Sequence, residues 1–163
     1  MNYRITGTGS CIPDITKKNS DFLKNKFLDT DGGKFQTSNS EIIDKFNSIT
    51  GIYERRYAPD EINCSDLAAV AAGLAINDSK LDQETLDYII VAHNTGDISC
   101  SSGQVDTLPS VASKVKAKLK IKNPNCVAYD IICGCPGWVE GIIQAKSFIK
   151  SGMAEKCLVI GCD

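Results

Sequence analysis

The sequence predicts an α/β fold in which a mixed, mostly parallel sheet is covered by helices. Two observations support this prediction. Four short runs are rich in apolar and β-branched residues, and the segments between them have the apolar spacing of helices. Strands that alternate with helices along a chain are typical of parallel sheets with helices packed on their faces. The four strand-like runs cover residues 3–8, 88–93, 126–132 and 157–162.

The second and fourth runs are apolar throughout, without the alternation of a half-exposed strand. They read Tyr-Ile-Ile-Val-Ala-His at 88–93 and Cys-Leu-Val-Ile-Gly-Cys at 157–162. Continuous apolar runs are typical of strands that are buried on both faces. We therefore expect a sheet with helices on each side.

Three of the intervening segments predict well-defined helices. The first begins at Ser65, the expected N-cap, and runs to about Ser79. The second begins near residues 108–110, and the third begins at Pro136 and stops at Gly152, a typical glycine stop. Their inner faces are expected to carry Leu67, Val70, Ala71 and Leu74 in the first helix, Val111, Val115 and Leu119 in the second, and Val139, Ile142, Ile143 and Ile149 in the third.

The chain of 163 residues has the length of one domain. Residues 39–49 predict a shorter helix, whereas residues 14–38 predict a long loop or an irregular insertion. The last strand-like run ends at Asp163 without a turn or a polar tail. We therefore expect the natural polypeptide to continue beyond this residue.

Composition excludes several classes of function. With 18 basic and 20 acidic residues, the chain lacks the excess of positive charge that nucleic-acid binding requires. The alternating lysines of 114–122 are expected to form a solvated helix face. No run of about 18 apolar residues predicts membrane insertion, and the first residues lack the apolar core of a secretory signal. These features predict a cytoplasmic protein.

The cysteine content is high, but it does not predict a metal site. No C-x-x-C pair occurs, and the only histidine, His93, lies far in sequence from any cysteine pair. In a cytoplasmic protein most of these thiols should be reduced, and several should fill apolar strands. The eight cysteines are Cys11, Cys64, Cys100, Cys126, Cys133, Cys135, Cys157 and Cys162.

The stretch Cys133-Gly134-Cys135-Pro136-Gly137 joins a predicted buried strand to a predicted helix. Pro136 suits the first helical position, and the two glycines permit a sharp turn. A helix N-terminus favours a thiolate, and its free N–H groups can also stabilise the oxyanion that forms when a thiolate attacks a thioester. The residues alone leave two interpretations open: a reactive thiol, or a structural cysteine packed under a helix start.

Five blocks, in this order, resemble the β-ketoacyl-acyl carrier protein synthase III enzymes of the thiolase superfamily. The resemblance covers nearly the whole chain and implies the N-terminal half of a thiolase-like layered fold. Residues 1–163 would then form the domain with the nucleophilic cysteine, and the C-terminal half would be absent. The blocks are Thr-Gly-Ile-Tyr-Glu-Arg-Arg at 50–56, Ser-Asp-Leu-Ala at 65–68, Asp-Tyr-Ile-Ile-Val-Ala at 87–92, Pro-Ser at 109–110, and Ser-Gly at 151–152 followed by Cys-Leu-Val-Ile-Gly at 157–161.

The resemblance implies that Cys135 is the catalytic nucleophile. With Pro136, Gly137 and Trp138 it matches the family pattern C-x-G-[FW], whereas Cys133 falls where the family has a small or apolar residue. The implied reaction loads an acyl group from coenzyme A or another thioester onto the cysteine. The acyl-enzyme then condenses with malonyl-acyl carrier protein as carbon dioxide is lost. No permanently bound cofactor is implied.

The family places the histidine and asparagine of the second stage in its C-terminal half. The resemblance therefore implies that these 163 residues alone lack condensing activity, and that His93 is a satisfied residue at a strand end. It also implies acyl carrier protein as a partner and a homodimer formed by edge strands. The expected edge is the strand following Tyr129, with the 96–110 loop reaching towards the partner's site.

The chain departs from the family pattern at Lys45 and Ile49. They stand where the family often has a Trp and an Arg that grip the adenine of coenzyme A, so the acyl donor stays open, as do the acyl chain length and the pathway. One alternative is a non-catalytic half that serves assembly or carrier-protein docking. Another is a redox or metal site on Cys133 and Cys135, although two thiols at this spacing are poorly placed for tetrahedral coordination without further ligands.

Overall fold

The structure is a computed structural model that describes residues 3–98 and 102–163. Cys100, part of the 96–110 loop expected to reach a partner, lies outside these residues, as do Met1 and Asn2. The chain divides into a small unit, 12–59, and a large unit of residues up to 11 together with 60–163. Among the helices of the described ranges, none combines the length and apolar character needed to cross a bilayer.

The small unit consists of a two-stranded sheet and a helix. Strand β1 (Ile15–Lys18) runs antiparallel to β2 (Glu54–Tyr57), and helix α1 (Asn39–Thr50) lies between them in the chain. Ser38 and Glu41 cap the start of α1, and Gly51, with φ of 68°, ends it. The predicted helix at 39–49 is therefore confirmed.

The prediction of a long loop or irregular insertion at residues 14–38 is wrong at residues 15–22, which form regular elements, and agrees with most of the remaining segment. Besides β1, this segment contains a 3₁₀ helix at Asn19–Phe22 and a bridge between Leu28 and Lys34. Strand β1 is short and largely polar, so it has no pattern of its own. It forms because β2, which is distant in sequence, supplies the backbone partners.

The large unit has eight main elements around one parallel sheet. Its strands β3, β6 and β7 lie in the order β6-β3-β7, and both pairings are parallel. In chain order the elements are α2 (Cys64–Ser79), β3 (Tyr88–His93), β4 (Asp97–Ile98), β5 (Val105–Asp106), α3 (Val111–Lys118), β6 (Val127–Ile132), α4 (Gly137–Ser151) and β7 (Cys157–Gly161).

The central strand β3 explains the continuous apolar run in the sequence. Ile89, Ile90 and Val91 are fully buried because helices pack on both faces of the sheet. Helices α2 and α3 pack on the face that holds the main apolar cluster, and α4 packs against β3 and β7. Three of the four predicted strands and the α/β class are confirmed.

The predicted strand at 3–8 is wrong. Thr8 donates its backbone N–H to the Asp78 carboxylate at 2.9 Å, not to a neighbouring strand. The segment lies on α2, where a Cβ at Gly7 or Gly9 would overlap backbone atoms of that helix. Between this segment, β7, α2 and α4 lies an apolar cavity of about 640 Å³. Tyr3 and Ile5 are 50% and 73% exposed, so the apolar pattern of this segment predicted neither burial nor a ladder partner, both of which depend on packing.

Helix α2 forms as predicted, but its cap and its inner face differ. Asn63 is the N-cap, and Ser65 lies inside the helix with 1% of its surface exposed. The buried face carries Ala68 and Ala72, whereas the expected inner residues Val70 and Leu74 are about half exposed. The helix has apolar residues on every side, so periodicity could not select the face. Small side chains face inward because α2 packs closely on α3 and β7.

Helices α3 and α4 begin and end close to the expected positions. Ser110 caps α3, whose Val111 and Val115 are fully buried, as predicted. Pro136 occupies the N-cap of α4, so the expectation that it is the first helical residue is wrong by one position. The face of α4 on the sheet carries glycine and alanine, and the expected inner residues Val139 and Ile143 are about half exposed.

Candidate active site

The turn between β6 and α4 presents two exposed thiols, Cys133 and Cys135. Gly134 lies between them with φ of 43°, a left-handed backbone conformation that residues other than glycine rarely adopt. The backbone N–H of Gly137 donates to the carbonyl oxygen of Gly134 at 3.0 Å and closes the turn. The turn therefore places Cys135 immediately before the N-cap of α4.

Close packing holds the start of α4 in place. Gly137 is buried, and a Cβ at this position would lie 3.1 Å from Cβ of Ala92 in β3. One turn later, a Cβ on Gly141 would lie 2.7 Å from Cγ1 of Val159 in β7. Since the helix backbone rests directly on two strands, the position of the turn is set by rigid elements rather than by a loop.

The start of α4 is electrostatically suited to an anion. Pro136 has no polar side chain that could cap the helix, and the first N–H groups of a helix have no partner within it. The Gly137 N–H is already bonded to Gly134, so the N–H groups of the next residues, Trp138 and Val139, are the ones that could meet an anion. These groups and the helix dipole stabilise negative charge at this end. A thiolate at Cys135, or an oxyanion formed next to it, would benefit from both effects.

The carboxyl ends of three parallel strands meet at the edge where Cys135 lies. Beyond β3, Asn94 donates its backbone N–H and its side-chain amide to the Asp163 carboxylate at 2.7 and 2.6 Å. The Asn94 side-chain oxygen faces the turn, at 3.6 Å from where a Cβ on Gly134 would lie. These contacts join the ends of β3 and β7 next to the candidate nucleophile.

His93, the only histidine, is engaged in the interior at this same edge, with 2% of its surface exposed. Its Nδ1 accepts the Gly96 N–H at 2.9 Å, so the proton lies on Nε2, which donates to Asp130 at 3.0 Å. The Asp130 carboxylate also accepts the N–H groups of Val111 and Ala112 at 2.7 and 2.8 Å. Both ring nitrogens are therefore occupied, which agrees with a structural residue at a strand end.

Asp130 received no role in the sequence analysis. It caps α3 and joins that helix to β3 through His93. One signal could have identified it: an aspartate inside an apolar strand is costly to bury without hydrogen-bonding partners.

The expectation that the lysines of 114–122 form a solvated face is wrong for Lys114. Its Nζ contacts the carboxylates of Asp97 at 3.1 Å and Asp106 at 2.8 Å, which are partners in the β4–β5 pair. Burial alone would lower the pKa of Lys114, but the two carboxylates raise it above its usual value. Lys114 therefore connects the β4–β5 pair to α3.

Exposure does not distinguish Cys133 from Cys135, but among the cysteines that the structure describes it separates both from the rest. Burial raises the pKa of Cys126, and it raises the pKa of Cys157 to about 11. Within the described ranges, no group of three or more His, Cys, Asp or Glu side chains could hold a metal ion.

The two residues that depart from the family pattern both lie on α1. Lys45 is exposed, and Ile49 is 78% exposed.

The fold has close relatives among solved structures. The 3-oxoacyl-[acyl-carrier-protein] synthase III from Aquifex aeolicus VF5 superposes with a TM-score of 0.74 and 34% sequence identity. The match covers 98% of this chain and 44% of that protein. These observations define the class: the chain is an α/β protein with a thiolase-like fold.

Sequence comparisons show which family the chain resembles. β-Ketoacyl-[acyl-carrier-protein] synthase III 1 of Vibrio parahaemolyticus is 37% identical over the whole chain, and the synthase III of Neisseria gonorrhoeae is also 37% identical. The family model for 3-oxoacyl-[acyl-carrier-protein] synthase III matches residues 129–163, which contain the turn and α4. The chain is therefore similar to synthase III proteins; it spans 44% of the length of these relatives and matches their N-terminal part.

Proposed function

We propose that Cys135 is the acyl-accepting nucleophile of a condensing acyltransferase that forms β-ketoacyl products. The observation that carries this proposal is the exposed thiol immediately before α4, on a turn that contains a glycine in a left-handed conformation. The names of the relatives support the same chemistry, since each is called a β-ketoacyl-[acyl-carrier-protein] synthase.

In the first step, the Cys135 thiolate attacks the carbonyl carbon of an acyl thioester. The carbonyl π electrons move to oxygen, and the N–H groups at the start of α4 stabilise the resulting oxyanion. When the carbonyl reforms, the carbon–sulfur bond to the donor breaks. The donor thiolate leaves and takes up a proton, and the acyl group remains on Cys135 as a thioester.

In the second step, a malonyl thioester on acyl carrier protein loses carbon dioxide. The electron pair of the broken carbon–carbon bond forms a new bond to the acyl carbon, and the Cys135 thiolate is released. His93 is not available for this step because both its nitrogens are engaged in the interior. We therefore place the acid–base groups of condensation outside these 163 residues, and expect the chain alone not to condense.

The proposal includes a homodimer, acyl carrier protein as a partner, a cytoplasmic location and no permanently bound cofactor. Strand β6 lies at one edge of the described three-stranded sheet, and its Val127 and Ile132 are 47% and 67% exposed. An unpaired strand edge favours pairing with another chain. The donor, coenzyme A or a carrier protein, is left open because Lys45 and Ile49 differ from the family pattern.

Acyl loading tests the role of Cys135. The full-length protein would be incubated with a mass-tagged acyl thioester, and the labelled peptide would be identified by fragmentation. We expect the label on Cys135, its complete loss in Cys135→Ala, and loading within about twofold of the unmodified protein in the matched variant Cys133→Ala.

Two results would contradict the proposal. Loading that survives Cys135→Ala would place the nucleophile elsewhere. A folded protein that binds acyl carrier protein but loads no cysteine would favour the non-catalytic docking function instead.

A further inference from the structure

A second pair of thiols lies at the same edge of the sheet, apart from the turn that carries Cys135. The sulfur atoms of Cys64 and Cys162 are 2.7 Å apart, although 98 residues separate them in the chain. A covalent disulfide has a sulfur–sulfur distance of about 2.05 Å, so a small displacement would allow a bond. Both thiols are free and only partly buried.

The surrounding hydrogen bonds hold both cysteines at this distance. Cys64 is the first residue of α2, and its neighbour Ser65 bonds to the Asp97 carboxylate through both its N–H and its hydroxyl, at 2.8 and 2.9 Å. Cys162 follows β7, and its N–H donates to the carbonyl oxygen of Ala92 at 3.0 Å. The contact is therefore a consequence of the fold, not of two mobile loops.

We propose that Cys64 and Cys162 form a reversible disulfide that locks the start of α2 to the end of β7. The oxidant is a low-molecular-weight disulfide such as oxidised glutathione. One cysteine thiolate attacks a sulfur of the reagent, forms a mixed disulfide and releases one thiol. The second cysteine then attacks the protein sulfur, and the second thiol leaves. The pair loses two electrons and two protons, which the two released thiols carry away.

The environment of Cys162 sets the order of attack. Its contact with Cys64, together with burial, raises the pKa of Cys162. A raised pKa lowers the thiolate fraction of Cys162, so we assign the first attack to Cys64. Once Cys64 is in the mixed disulfide, Cys162 is the adjacent thiol that resolves it.

Peptide mapping tests this inference on the intact protein. After treatment with oxidised glutathione, the remaining thiols would be alkylated and the protein digested with trypsin. Cys64 falls in the peptide 57–80, whereas Cys162 falls in the peptide that begins at Cys157. That peptide contains two cysteines, so the variant Cys157→Ser shows which of them is linked. It also serves as the matched control, since Cys157 does not belong to the proposed pair.

We expect linked peptide in the unmodified protein and in Cys157→Ser, and none in Cys64→Ser or Cys162→Ser. Dithiothreitol should remove the link. Folded protein should give at least about tenfold more link than protein in urea, because the unfolded chain must close a long loop.

Three results would overturn the inference: Cys64 and Cys162 that stay fully alkylatable while other cysteines oxidise, a link through Cys157, or equal linking in folded and unfolded protein. The mapping on the unmodified protein keeps the test valid even if a serine variant fails to fold.

Discussion

The thiols after β6 and the imidazole at the end of β3 lie at the same edge of one parallel sheet. They differ in solvent exposure and in hydrogen bonding. His93 is buried, and both its nitrogens are bonded to Gly96 and Asp130. Cys133 and Cys135 are exposed on the turn that leads into α4. The start of α4 has no capping side chain.

The comparison shows that the intrinsic reactivity of a side chain does not decide whether a substrate can reach it. Imidazole is a common acid–base group, but here it joins β3, β6 and α3 through the Asp130 carboxylate. A thiol is often a core residue, but at Cys135 the turn leaves it accessible. The edge of the sheet thus contains a closed region, His93 with Asp130, and an open region, the Cys133–Cys135 turn.

Removal of Asp130 should have the largest effect, because it breaks the closed region. In Asp130→Ala, a buried imidazole N–H and two helix N–H groups lose their acceptor. We expect the free energy of unfolding to fall by about 3 kcal/mol or more. Urea unfolding followed by the fluorescence of Trp138, the only tryptophan, would measure it. Asp130→Asn, which retains one acceptor oxygen, should lose less, and a loss below about 1 kcal/mol in the alanine variant would contradict the closed region.

Alkylation rates should separate exposed from buried thiols. The pKa of Cys157 is raised to about 11, from an ordinary value near 9. At pH 8 this thiol therefore has about a hundredfold less thiolate, because each pKa unit changes the thiolate fraction tenfold. We expect iodoacetamide to modify the Cys133–Cys135 turn at least about a hundredfold faster than Cys157. Peptide mass spectrometry over time would measure both rates, and rates within tenfold of each other would remove the contrast.

Two glycine variants test how firmly α4 holds the open region. Gly141→Ala would place a Cβ 2.7 Å from Val159 and force the helix away from β7, so we expect a loss of about 1–3 kcal/mol. Gly73→Ala on α2 is the matched control, since its Cβ would meet only Leu119 at 3.8 Å. This change should stabilise the protein by about 0.5–1 kcal/mol through helix propensity. Thermal unfolding would measure both changes in stability, and stabilisation by Gly141→Ala would show that α4 packs loosely on β7.

A pH-dependent test examines the polar contacts beside the closed region. Burial alone would raise the pKa of Asp97, but the N–H and hydroxyl of Ser65 and the ammonium of Lys114 hold it below its ordinary value of 3.8. A carboxylate with a lowered folded-state pKa stabilises the protein above that ordinary value, and this contribution is lost as the pH falls through the folded-state pKa.

The stability of the unmodified protein relative to Asp97→Asn should therefore be greatest near pH 6. We expect the difference to shrink by about 1 kcal/mol at pH 3. Urea unfolding at the two pH values would measure it. A difference that is the same at both would show that the charge of Asp97 contributes nothing.

Two parts of the fold were predicted from the sequence for clear physical reasons. The runs at β3 and β7 are apolar throughout, which only a doubly covered strand explains, and α4 ends at Gly152 in a left-handed conformation that glycine favours. The turn at Cys135 was also predicted, because a strand, two glycines and a proline encode it locally. Its role as a nucleophile stays a proposal.

The tertiary structure decided everything that depends on partners distant in the chain. Sequence alone determined which segments are apolar, where helices start and stop to within about two residues, and where the turn with two cysteines lies, because propensity and turn chemistry act over a few residues. It could not determine that residues 3–8 lie on α2 without joining the sheet, or that Ala68 and Ala72 form the inner face of α2. Nor could it bring Asp130 to His93 or Cys64 to Cys162. These contacts arise only when elements far apart in the chain pack together, and packing geometry, not local preference, chooses among the apolar and polar groups available.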